Sequence, residues 1–380
     1  MKNHLLFLFI SCFLFSCGVK EPLQSNLLEQ ALASKHPKIK RVVDSLSRYE
    51  VQIKYTRIDR KGEQLVLEDF DFQVDSTRYF YPASTVKFPI ALLALSKLNG
   101  LKGINRNTKF YVEGDSLTTT FAKEIQKIFA VSDNEAYNRL FEFLGQDHIN
   151  TELHRIALGP VRISHRLSTP EADEITTKPL IAYLNDSTTT TLPGSINTTA
   201  KALVLKHIEK GSGYRSEDSL LREPFDFSLK NYYPIETQHR LLKTVMFPEL
   251  YKQDEKIDLT REQLDFVRTA MRTVPKNTGY DADTYYDGYC KFFMYGDTRE
   301  NIPEHINIYN KVGDAYGTLT DTAYIQDTKN GVEFLLTATI LVNKNGIFND
   351  DTYEYDDIGF PFLAQLGREL YRLELERKSN

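Results

Sequence analysis

The run Phe88-Pro89-Ile90-Ala91-Leu92-Leu93-Ala94-Leu95 is apolar on every side. A helix with no polar face is stable only when protein surrounds it, so the chain must build layers around this segment. Ser84 and Lys87 stand immediately before it. On a helix, residues at i and i+3 share a face, which predicts that Lys87 stands beside Ser84 in a dry setting. Pro82 and Ser84 occupy positions that favour a helix start, and a helix N-terminus adds positive potential there. Pro89 removes one helical bond and predicts a kink. The pairing has a chemical reading. A serine hydroxyl is a weak nucleophile until a base takes its proton. A lysine can be that base once burial or a neighbouring cation lowers its pKa.

Length and composition bound the remaining possibilities. A chain of 380 residues, 41% hydrophobic and carrying a net charge of -5, suits one large soluble domain or two modest ones. No basic excess points to nucleic acid. The N-terminus reads as a leader: Lys2 is followed by an apolar stretch from Leu5 to Phe15, shorter than a membrane span. It closes in Leu14-Phe15-Ser16-Cys17-Gly18, which resembles a bacterial lipobox with Cys17 as the lipidated residue. Residues 1–17 are therefore expected to be a signal segment and 18–30 a tether. An exported protein follows, held at a bacterial membrane by its N-terminal lipid. Only Cys290 then remains, which leaves no intramolecular disulfide and no multi-cysteine metal site. The histidines are scattered without paired metal spacing, so no metal or other cofactor is expected.

Along the chain, Leu27–Arg48 reads as a helix, Tyr49–Ile58 and Gln64–Phe72 as strands, and Lys61-Gly62 as their hairpin turn. Thr118–Phe143 is mostly helical with a break at Ser132-Asp133-Asn134, and Asn197–Glu209 reads as another helix. Thr260-Arg261-Glu262-Gln263 is a capping box opening a helix that Pro275 ends. Tyr316–Gln326 and Gly331–Val342 read as strands joined at Asn330-Gly331, and an amphipathic helix spans about 359–376. Strands at both ends with helices between imply an α/β (α+β) fold. The antiparallel sheet comes from about 31–83 and 305–376, flanked by helices, with an inserted all-helical lobe at about 84–304. The acidic stretch Asn349–Asp357 reads as a solvated loop. Asp281, Asp283 and Asp287 fail the spacing of a calcium loop.

Three motifs occur in order: Ser84-Thr85-Val86-Lys87, Ser132-Asp133-Asn134 and Lys311-Val312-Gly313. With their flanks, Tyr81 to Pro89, Ala130 to Asn138 and Lys311 to Asp321, the chain resembles the class A β-lactamase and penicillin-binding-protein superfamily. The resemblance implies a serine hydrolase acting through a Ser84 acyl-enzyme, most directly on β-lactam amides. Lys87 would be or assist the base, and Ser132 would pass a proton to the leaving nitrogen. Asn134 would hold Lys87 and the substrate amide. Lys311 would favour a carboxylate-bearing substrate. The backbone N–H groups of Ser84 and Asp314 would form the oxyanion hole, and Gly313 would let the strand approach closely. The implied ligand is a β-lactam or peptidoglycan-like molecule met by a monomer.

The departures are as informative. Val312 replaces a threonine whose hydroxyl helps bind the β-lactam carboxylate, and the Asp314 carboxylate would repel an anion if it faced the cleft. Where class A enzymes place the glutamate that activates the deacylating water, the stretch from Ser164 to Glu171 puts Ser168. Glu171, Asp173 and Glu174 are the nearby carboxylates, and Glu171 is the catalytic candidate; its bland reading is a solvated loop carboxylate. Residues 210–308 form an aromatic-rich insertion, with Tyr285-Tyr286 and Phe292-Phe293 as candidates to line or cover the cleft. Two other functions stay open: a slow acyl hydrolase on peptidoglycan-like peptides or esters, and a non-catalytic lipid-anchored binding protein on the same scaffold.

Overall fold

Pro37 decides how the ordered chain begins. A residue before proline is pushed out of the helical region, and His36 is extended at φ -60°, ψ 129°. The single helix expected over Leu27–Arg48 is therefore three: α1 (Leu27–Leu32), α2 (Pro37–Val43) and α3 (Leu46–Tyr49). A computed structural model describes residues 26–62 and 64–379. The signal segment, Cys17 and most of the expected tether lie outside the described residues.

β1 (Gln52–Lys61) and β2 (Gln64–Phe72) form the expected hairpin, with Gly62 at φ +64° in the turn. β3 (Ile306–Ala315), β4 (Thr318–Asp327) and β5 (Val332–Leu341) pair antiparallel in succession, and β5 pairs with β1. The result is one five-stranded sheet in the order β3-β4-β5-β1-β2, which leaves β3 at an edge. One face carries Ile53, Tyr55, Phe334, Leu336 and Ile340 and buries them against Leu363, Leu366 and Leu370 of the C-terminal helix.

The opposite face is polar where it meets the second lobe. Thr56, Thr320, Thr322, Thr337 and Thr339 are all buried there. Buried hydroxyls must be paired. Thr320 donates to Thr339 at 2.9 Å, Thr322 and Thr337 lie 2.8 Å apart, and His239 sits 2.7 Å from Thr56 and 2.9 Å from Thr337. Burial holds His239 well below the usual histidine range, so the imidazole is neutral.

The second lobe surrounds α4 (Lys87–Leu98), in which every residue from Lys87 to Leu95 is buried. Pro89 falls in the first helical turn, where little intrahelical bonding is lost, and α4 runs unbroken to Leu98. α5 (Phe121–Val131) and α6 (Asn134–Leu144) pack against it, followed by α7 (Gln146–Arg155). α8 (Ile235–Met246) carries His239 to the sheet. α9 (Arg261–Arg272) opens on the Thr260/Gln263 capping box, with both reciprocal bonds formed. α10 (Phe360–Ser379) closes the chain.

Two expectations are corrected. The inserted lobe is not all-helical: Lys109–Val112, Thr119–Thr120, Leu180–Tyr183 and Thr189–Leu192 form a four-stranded sheet. The helix expected over Asn197–Glu209 is absent. Asn197 spends its side chain on the Asp147 N–H and the Ile175 carbonyl, and Val204 is 96% exposed between Leu203 and Leu205, which pack against the cluster around Tyr79 and Phe227, so the apolar residues alternate as in an extended segment.

Candidate active site

Ser84 lies on a short 3₁₀ turn, Ala83–Val86, that runs into α4. Ala83 holds φ +46°, a left-handed conformation that costs a non-glycine residue on the order of 1 kcal/mol. β3 packs directly on this turn. A Cβ added to Gly313 would lie 2.6 Å from the Ser84 nitrogen and 2.8 Å from the Thr85 nitrogen, so only glycine permits the approach.

Lys87 points back along α4 at the serine. Its Nζ lies 2.8 Å from Ser84 Oγ, 2.6 Å from Asn134 Oδ1 and 3.3 Å from Ser132 Oγ, and it also donates to the Ser132 carbonyl. The residue is fully buried. Burial first, and the charge of Lys311 second, hold the amine well below the ordinary lysine range. Ser132 adopts φ +58° at the end of α5, and Asp133 caps α6 by accepting from the Ala136 N–H at 2.8 Å. This turn aims Ser132 Oγ and Asn134 into the cleft from the α5–α6 junction.

Lys311 completes the set from β3. Its Nζ donates to Ser132 Oγ at 2.8 Å and to the Val312 carbonyl at 2.7 Å. Burial pulls it down to about 8. A polar brace lies behind it. Lys291 Nζ donates to Asn310 Oδ1 at 2.7 Å and to the Met271 carbonyl at 2.6 Å, while Asn310 donates to Asp321 at 2.9 Å. Burial raises Asp321 to about 6 and lowers Lys291 to about 8. Cys290 is buried beside these cations, its thiol pushed up to about 11 by burial.

Ser84, Lys87, Ser132, Asn134, Lys311, Gly313 and Asp314 thus converge. Glu171 does not. Arg166 fixes the loop by a two-pronged pair with Glu142 at 2.6 and 3.1 Å and by donating to the carbonyls of Glu174 and Thr176. Asn138 grips both backbone groups of Leu167 at 2.9 Å. These bonds leave Ser168 at the cleft, where its Oγ accepts from Asn134 Nδ2 at 2.9 Å. By Glu171 the chain has turned away. That carboxylate is exposed, bonds the Thr169 hydroxyl at 2.7 Å and lines a different hollow. His165 is structural: the Asn231 N–H donates to Nε2 at 3.2 Å, so Nδ1 carries the proton and donates to the Arg166 carbonyl at 2.6 Å.

The cleft measures about 580 Å³ and opens beside Ser84 and Asn134. Its aromatic wall is Tyr81, Tyr316, Tyr353 and Tyr355, and Asp314, Asn349 and Asp351 line it as well. The insertion residues Tyr285 and Tyr286 are not among its lining, and Phe292 and Phe293 pack into the core. The loop read as merely solvated, Asn349–Asp357, contributes four of the lining residues. Nothing in its local pattern signals this, because the neighbours that place it come from elsewhere in the chain. Val312 turns into the core beneath the sheet. Among the described residues, no group of three or more His, Cys, Asp or Glu is placed to hold a metal ion.

Fold and site together define a protein of the β-lactamase and penicillin-binding-protein type. The chain belongs to the beta-lactamase enzyme family, whose sequence profile matches residues 36–240, more than half of its length. No match was found among curated proteins. Solved structures share the fold. A class A β-lactamase representative from Bacteroides cellulosilyticus is 13% identical at TM-score 0.51, covering 94% of this chain and 100% of that one. The class A β-lactamase from Mycobacterium abscessus is 12% identical at TM-score 0.52, covering 92% and 99%. A mutant of PBP-A, solved as an acyl-enzyme complex with penicillin G, is 14% identical at TM-score 0.50, covering 91% and 95%.

Proposed function

We propose that the protein is a serine hydrolase that forms an acyl-enzyme on Ser84, cleaving β-lactam amides and related esters or peptides with slow release of the acyl group. The observation that carries this is the bonding of Lys87. A neutral amine has two N–H groups and one lone pair. The Ser132 carbonyl and Asn134 Oδ1 can only accept, so they take both hydrogens. The lone pair is left for the Ser84 hydroxyl at 2.8 Å, which makes Lys87 the base.

The reaction follows from that assignment. Ser84 Oγ attacks the carbonyl as its proton passes to Lys87. The backbone N–H groups of Ser84 and Asp314 receive the oxyanion, the interaction that supplies a large share of acyl-transfer rates. Ser132 lies between Lys87 and Lys311 and hands a proton to the leaving group. Lys311 keeps that hydroxyl acidic. Deacylation lacks a loop carboxylate, since Ser168 stands at the cleft and Glu171 faces away. Without that glutamate, water activation falls to Lys87, which favours a long-lived acyl-enzyme. The ordered, mutually bonded site argues against the non-catalytic reading.

The test is intact mass of the full-length chain after incubation with penicillins, cephalosporins and p-nitrophenyl acetate. The expected result is a slowly decaying adduct mapped to Ser84 and absent from Ser84→Ala. No adduct and no turnover with any of them would refute the proposal.

We further propose export and lipid anchoring at Cys17, supported by the sequence of the leader. Incorporation of labelled fatty acid, lost in Cys17→Ala, tests it; equal labelling of both forms would refute it. Among the described residues, no helix is long and apolar enough to cross a membrane.

A further inference from the structure

The walls of the cleft carry charge of one sign. Asp314 and Asp351 line it, and no lysine or arginine does. The two nearby lysines, the neutral Lys87 and Lys311, are buried and hydrogen-bonded to Ser132. Asp314 stands open to the cleft, and its carboxylate makes no hydrogen bond or salt bridge among the described residues; its surroundings raise it above the usual carboxylate range, which the charge of Lys311 partly offsets. It follows Gly313 directly, so it stands next to the backbone proposed to hold the oxyanion. A carboxylate on the substrate at this point would meet Asp314, while Val312 offers it no hydroxyl.

The aromatic wall is built to stay in place. The Gly317 N–H donates to the Tyr355 hydroxyl and the Asn349 N–H to the Tyr353 hydroxyl, both at 2.8 Å. The Tyr353 and Tyr355 rings lie 5.4 Å apart, and Tyr81 meets Tyr316 edge-on at 5.0 Å. Tyr316 occupies a tight two-residue turn between β3 and β4 at φ +52°. Asn349 and Asp351 hold φ +55° and +54°, an unfavourable backbone that sets Asp351 on the cleft wall. Fixed aromatic faces beside unpaired carboxylates are the chemistry that receives an ammonium group.

We propose that this cleft selects acyl substrates carrying a positive charge near the scissile carbonyl, with Asp314 and Asp351 meeting the charge and Tyr316, Tyr353 and Tyr355 packing around it. The inference rests on the Ser84 acyl-transfer reading and names its substrate class. The chemistry is unchanged: the Ser84 Oγ–carbonyl bond forms, the bond to the leaving group breaks, that group departs with the proton relayed from Ser84, and water releases the acid.

The experiment uses the full-length chain and p-nitrophenyl esters of γ-trimethylammonio butyrate, its uncharged tert-butyl isostere and γ-sulfo butyrate. The expected kcat/KM for the cation exceeds that for the sulfonate by at least about tenfold, with the neutral ester between them. The ratio shrinks as ionic strength rises and shrinks again in Asp314→Asn and Asp351→Asn. The wild-type ratio and its salt dependence stand even if a variant fails to fold. Equal rates, or a preference for the sulfonate, with adducts still on Ser84, would overturn the inference and leave the acyl-transfer reading intact. If no ester acylates Ser84, both fall together.

Discussion

The α-carbon of Gly313 faces the backbone nitrogen of Ser84 so closely that a single added Cβ would sit 2.6 Å from it. The strand that carries Lys311 and the turn that carries the nucleophile are thus pressed together through a glycine. Gly313→Ala must push β3 away from the 3₁₀ turn. The expected loss is about 100-fold in the rate of Ser84 acylation, because small displacements of reacting groups are costly. Overpacking should also cost on the order of 1–3 kcal/mol of stability. Acylation kinetics and urea denaturation check both. A variant that acylates at the wild-type rate would show that the close contact is not needed.

Ser168 stands at the cleft, bonded to Asn134, and carries no base. Ser168→Glu should place a carboxylate beside the acyl group and speed its release by about 100-fold, within the range of general-base assistance. Glu171→Gln should change release by less than about twofold, as for an exposed side chain away from the chemistry. Decay of the Ser84 adduct, followed by intact mass, measures both.

His165 links stability to pH. Burial lowers its pKa from 6.5 to about 4, so between these values the unfolded chain binds more protons than the folded one. Its contribution is full above about 6.5 and is lost as pH falls toward 4, a total of roughly 3 kcal/mol. Asp321, raised to about 6, slopes the other way in both proteins and cancels in the comparison. The unfolding free energy of His165→Gln should therefore depend less steeply on acid than that of the wild type. Identical slopes would contradict the buried neutral imidazole.

Local chemistry decides how much of this could be read from sequence. The Ser84, Ser132 and Lys311 segments were legible because their residues and spacing encode a short-range geometry. Hairpins at Gly62 and Gly331 and the Thr260 cap are local in the same way. The helix over Asn197–Glu209 failed because Leu203, Val204 and Leu205 alternate between inside and outside as in an extended segment, and the strands at Lys109–Val112 and Leu180–Tyr183 were missed because their pairing is distant in sequence. Glu171 was misplaced for a related reason. A short piece of loop suffices to turn a side chain out of a cleft, and the turn is set by Arg166, Glu142 and Asn138 rather than by Glu171 itself. The Asn349–Asp357 loop looks like any acidic surface until β4 and β5 bring it beside Ser84.

The most direct test of the central claim is the pH profile of Ser84 acylation, read by intact mass with p-nitrophenyl acetate. A neutral Lys87 at 2.8 Å from Ser84 predicts a rate that reaches its maximum well below the ordinary lysine value of 10.5 and falls toward acid. A rate that keeps climbing to the ordinary lysine value of 10.5, or an adduct that forms equally in Lys87→Met, would contradict it.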